Sequence, residues 1–178
     1  FIEPEDVCLV DLDANQLAGH RARTSEAKTH FAIMKATPKA KACVHAHPVH
    51  ATAFAVGGIE LPTCLIPEPE VFLGKVGLAR YETIAPDHQS ILMQNHGVIC
   101  WGKDVEDAYW KMENTEAFCH TIVVAKSIGA DLSQGYGPEK LRELIDLRKQ
   151  LGMDDYRDQL SNEELCNNSF QSTGAHPC

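Results

Sequence analysis

A chain of 178 residues, 44% hydrophobic and 23% charged, has the make-up of one ordinary globular domain with enough apolar mass to bury a core. Its net charge of -9, with no cluster of Lys and Arg, excludes a nucleic-acid surface. No apolar run reaches membrane-span length and the opening Phe1-Ile-Glu-Pro-Glu-Asp6 has no signal-peptide character, so the cytoplasm is the expected compartment.

In chain order, Asp6 to Asp13 alternates like an edge strand and ends in the turn-rich Asp13-Ala-Asn15. A short loop from Leu17 to Arg23 leads to Thr24-Ser25-Glu26, a helix start, with Ala27, Phe31 and Met34 following at helical spacing until Pro38. Lys41 to His47 is a strand, and a helix over about 49–56 closes at Gly57-Gly58. Leu61 to Leu73 is punctuated by Pro62, Pro67 and Pro69 and is expected to be irregular. A strand is expected over 79–85, stopped by Pro86, then strands at 90–94 and 97–101 joined by a turn. The longest helix should run over about 105–128, capped by Asp104 and stopped by Gly129. Pro138 opens another, to about Leu151. Residues 1–165 form one domain on this reading, and 166–178 a flexible tail. The pattern predicts a layered α/β fold with a mixed or mainly antiparallel sheet.

The seven cysteines (Cys8, Cys43, Cys64, Cys100, Cys119, Cys166 and Cys178) are odd in number and show no C-x-x-C pair, so reduced thiols are expected.

The chemistry concentrates in His45-Ala46-His47 and Asn95-His96-Gly97. Histidines at i and i+2 share one face of a strand, and His96 arrives at the end of a second strand beside a glycine. Three neutral imidazoles with a fourth position open describe a catalytic zinc site, although other divalent ions accept the same donors. His50 belongs to the next helix, as a surface or supporting residue, while His20, His88 and His176 sit in loops. Glu113, Glu116 and His120 share a helix face but are read as a solvated or interface group, outside the metal set. Glu26 opens its helix, where the macrodipole favours a carboxylate, so capping and proton transfer are equally good readings. For Thr24 and Ser25, simple capping and a phosphate site are likewise balanced.

The ordered series Thr24-Ser25-Glu26-x3-His30, Val44-His45-Ala46-His47 and Gln94-Asn95-His96-Gly97 resembles the class II aldolase/adducin family over roughly residues 5–130. The resemblance implies a three-layer αβα fold around a mainly antiparallel sheet. It also implies a homotetramer with active sites at subunit interfaces. By that likeness His45, His47 and His96 hold Zn2+, Glu26 is the catalytic acid/base, and Thr24 and Ser25 bind a substrate phosphate. The implied activity is a lyase cleaving a ketose phosphate such as L-fuculose 1-phosphate through a metal-stabilised enediolate. Alternatives are an L-ribulose-5-phosphate 4-epimerase-like enzyme, a dehydratase or decarboxylase on the same scaffold, and a non-catalytic adducin-like module. Glu26 favours the aldolase, whereas Thr29-His30 echoes the epimerase pattern. Family members usually carry another 40 to 50 residues before the point where this chain begins, with a segment that contributes to phosphate binding. The family's C-terminal tyrosine has a positional counterpart only in Tyr156.

Overall fold

The computed structural model describes residues 2–80, 87–133 and 135–165. Four strands build the central sheet: β3 (Ala42–Ala46), β4 (Gly77–Ala79), β5 (Ser90–Met93) and β6 (Gly97–Gly102), in the order β3-β6-β5-β4. β3 and β5 both run antiparallel to β6, whereas β4 runs parallel to β5, so the sheet is mixed with two antiparallel pairs. Every residue of β6 is buried, as expected for a central strand covered on both faces.

Helices α2 (Val49–Gly57) and α4 (Val105–Ser127) cover one face, closing a core around Ala51, Phe54, Leu92, Val98, Cys100, Phe118 and Ile122. Helix α1 (Ala27–Ala36) covers the other, where Ile33 meets Ile91, Ile99 and Trp101. Each such side chain removed from water contributes about 1.5–3 kcal/mol before entropy is counted. The resulting helix–sheet–helix layering is the expected one. Alternation along β3 sends Val44 and Ala46 to the α2/α4 face and Cys43, with His45, to the α1 face.

Four local expectations need correction. The first segment forms only a two-residue strand, β1 (Leu9–Val10), which pairs with β2 (Gln16–Ala18) as a separate small sheet. Aspartate and asparagine supply the turn: Asp11 accepts from the amides of Asp13 and Asn15. The proline-rich stretch is not irregular throughout, because Pro67 opens α3 (Pro67–Phe72). The strand expected from residue 79 begins earlier, as β4 (Gly77–Ala79), and residues 81–85 of that expectation lie outside the described residues. Finally, Cys64 is disulfide-bonded, while Cys8, Cys43, Cys100 and Cys119 are free thiols. The uniformly reduced reading therefore fails at Cys64. Helix α5 (Pro138–Gln150) follows the expected bounds, and a short α6 (Asn162–Leu165) is the last element among the described residues. Among the described residues no helix is long and apolar enough to cross a membrane.

Candidate metal centre

The three predicted histidines converge. One ligand atom from each of His45, His47 and His96 lies within 4.8 Å of the others. Their ring centroids form a nearly equilateral triangle with sides of 4.9, 4.9 and 5.0 Å. His45 sits on β3, His47 just past its end, and His96 in the loop joining β5 to β6. That loop is a tight hairpin: His96 N–H donates to the Met93 carbonyl at 3.0 Å, and Asn95 takes a left-handed φ of 59°. Asparagine tolerates that conformation, which explains why the turn reads Asn-His-Gly.

Two further features organise the triangle. His45 Nδ1 donates to the Val98 carbonyl at 2.8 Å, which fixes the tautomer and leaves Nε2 with its lone pair free. Gly97 leaves the room that His47 occupies: a Cβ there would clash with the His47 ring, 2.8 Å from the Ala46 carbonyl oxygen and 3.1 Å from His47 Nε2. Burial lowers the pKa of His45 most, with His96 and His47 adding to it against the opposing pull of the Val98 carbonyl and Glu26. A neutral imidazole is the form that binds a metal, so the site fits a divalent ion held by three nitrogens.

On the α1 side, Glu26 occupies the N-cap position of α1 but makes no side-chain cap, which leaves its carboxylate unspent. Its charge is felt at both His45 and His30. Thr24 and Ser25 are exposed just before it, and Thr24 Oγ1 accepts the Glu26 amide at 3.2 Å. His30, part of the sequence motif but assigned no role there, stands edge-on to His45 with centroids 6.4 Å apart. Its i+4 spacing from Glu26 on one helix face was the available signal.

Several residues fall elsewhere. Glu116 and His120 are not in the triangle; both engage His50, whose Nδ1 lies 2.7 Å from Glu116 Oε1. Tyr156 lies at the opposite end of the sheet, with its hydroxyl 3.3 Å from His88 Nε2, beside a cavity of about 240 Å³ shared with Glu60, Lys75 and Arg157. It cannot serve the histidines of its own chain from there.

This fold and site define an α/β protein with a three-histidine cluster, able to hold a metal ion, at the edge of its sheet. The family model described as "Class II Aldolase and Adducin N-terminal domain" matches residues 1–123. An L-fuculose phosphate aldolase of Methanococcus maripaludis is 31% identical over 139 residues, covering 72% of this chain and 75% of that protein. An L-ribulose-5-phosphate 4-epimerase of Salmonella paratyphi A is 26% identical over 152 residues, covering 72% and 67%. A solved L-fuculose 1-phosphate aldolase superposes with a TM-score of 0.69 at 23% identity, covering 83% of this chain and 74% of that one, and shares the fold. The chain belongs to the class II aldolase/adducin family.

Proposed function

We propose that the protein is a metal-dependent aldolase that cleaves a ketose phosphate, with L-fuculose 1-phosphate as the first substrate to try. The observation that carries this reading is the three-imidazole triangle beside an uncommitted carboxylate on a neighbouring helix. His45, His47 and His96 would hold Zn2+ or another divalent ion. Such an ion supplies Lewis acidity to a ketose carbonyl and holds the negative charge that carbon–carbon cleavage produces.

The remaining steps belong to the chain. Glu26, as the catalytic residue, returns a proton to the carbon that has lost its partner, while the hydroxyl that becomes the aldehyde gives its proton up to solvent; in the condensation direction both transfers reverse. Thr24 and Ser25 offer hydroxyls to the substrate phosphate ahead of α1, whose helix dipole favours an anion at that end. Residues 1–165 act as one family-type domain in this reading, and the sites complete themselves at the interfaces of a homotetramer. The 31% identical aldolase supports cleavage over epimerisation. Epimerisation is the second reading, favoured by the matching 4-epimerase.

The test is to incubate the metal-loaded protein with L-fuculose 1-phosphate and with L-ribulose 5-phosphate and to identify the products. A hydroxyketone phosphate with an aldehyde supports the aldolase. A C4 epimer without fragments transfers the assignment to the second reading, and an unchanged substrate panel contradicts both.

A further inference from the structure

Pro48, immediately after His47, is the N-cap of α2 and supplies no side-chain cap. A helix start leaves its first amides without intrahelical partners, and a cap normally serves those at the second and third positions. Here those amides belong to His50 and Ala51, and both are met from another element. Glu116 on α4 accepts the His50 amide on Oε1 at 3.1 Å and the Ala51 amide on Oε2 at 2.9 Å. Oε1 also accepts from His50 Nδ1 at 2.7 Å, and the His50 ring stacks on His120 of α4 with centroids 4.1 Å apart. Burial pushes the Glu116 carboxyl up, but the Ala51 and His50 amides and the His50 ring outweigh it and leave the pKa below its ordinary value.

The helix that delivers this carboxylate is itself fixed to the sheet. Thr115, the preceding residue, is fully buried and bonds Ser90 of β5 at 2.7 Å between their hydroxyls. The sheet therefore holds α4, and α4 holds the joint between β3 and α2. On its other side the same joint presents the His47 ring to the gap over Gly97.

We infer that Glu116 is a positioning residue for the metal centre: by capping α2 from α4 it fixes the His47-Pro48 joint and so sets the His47 imidazole against His45 and His96. This rests on the metal-site reading above. Proline at position 48 makes the outside cap necessary, since it has no side-chain acceptor of its own.

The experiment is zinc affinity by chelator competition on the full chain, for wild type, Glu116→Gln, Glu116→Ala and Glu116→Ala/Pro48→Ser. Amide hydrogen exchange at His50 and Ala51 is followed in the metal-free proteins. Glu116→Gln keeps one acceptor but turns an NH2 toward the other amide, and weakens zinc about 10-fold; Glu116→Ala weakens it up to about 100-fold, the range for lost supporting contacts around a metal. Serine at position 48 caps the helix locally, so the double variant regains both exchange protection and most of the affinity. Should Glu116→Ala not fold, the isosteric Glu116→Gln carries the decision. Wild-type affinity in the single variants overturns the inference, as does a double variant with protected amides and no recovered affinity. A wild-type chain that binds no divalent ion overturns the metal reading itself, and this inference with it.

Discussion

Substituting Gly97 by Ala probes the metal centre through a single methyl group. That methyl would clash with Cδ2 at the edge of the His47 ring, so the ring must retreat by about 1 Å to reach ordinary carbon contact at about 3.5 Å. The Ala46 carbonyl, 2.8 Å from the same methyl, blocks relief in the other direction because it lies in the β3–β6 ladder, beside the pairing of Ala46 with Val98. A zinc–nitrogen bond of about 2.0–2.1 Å tolerates only about 0.2 Å of error, so a displaced His47 no longer closes the triangle. We expect Gly97→Ala to weaken zinc at least about 100-fold, the upper end of effects from supporting contacts, while overpacking costs about 1–3 kcal/mol of stability. Isothermal titration or chelator competition reads the first and thermal unfolding the second. A Gly97→Ala protein that is folded and binds zinc with wild-type affinity would refute the placement of His47.

Other perturbations separate chemistry from support. Glu26→Gln should leave zinc binding unchanged and lower turnover of the ketose phosphate by about 10²–10⁴, as steady-state kinetics on metal-loaded protein would show; near-normal turnover removes Glu26 from proton transfer. Asp155 is buried between Arg157, which it meets at 2.8 Å, and Arg148 at 3.2 Å, so Asp155→Asn should cost about 3–5 kcal/mol in denaturant unfolding by leaving two buried cations short of a counter-charge. Burial pushes the Asp155 carboxyl up, but the hydrogen bonds and charge of Arg157 prevail and hold it below the usual carboxylate range. A folded-state pKa below the unfolded value means stability present above about pH 4 and lost as pH falls through the folded value. The melting temperature should therefore decline below about pH 4, and Asp155→Asn should flatten that decline; an unaltered slope would discount the network.

The sequence and structure agree most closely where one element carries its own signal. His45 and His47 announce a shared strand face by their spacing, and Asn95-His96-Gly97 announces a hairpin because only certain residues accept the left-handed turn. The capping of α4 by Asp104, whose carboxylate accepts the Asp107 amide at 2.8 Å, is equally local. What escaped the sequence depends on contacts between elements far apart in the chain. The cap that Glu116 provides spans 65 residues to Ala51, and no periodicity encodes it. The parallel pairing of β4 with β5 joins two short segments whose own patterns carry no sign of their relative direction. The bond at Cys64 has no spacing signature among scattered cysteines. α3 was legible in principle, since Pro67 at its first turn is a start signal, but three prolines in the stretch Leu61 to Leu73 mask it.

The central claim is that His45, His47 and His96 form a metal centre, and metal analysis of the purified, untagged protein beside a His45→Ala/His47→Ala variant tests it most directly. The account predicts about one zinc or equivalent divalent ion per chain, set by a single three-imidazole site, and its loss from the variant. A wild-type chain that takes up no metal even after zinc is added back, or a variant that retains its full metal content, would contradict it.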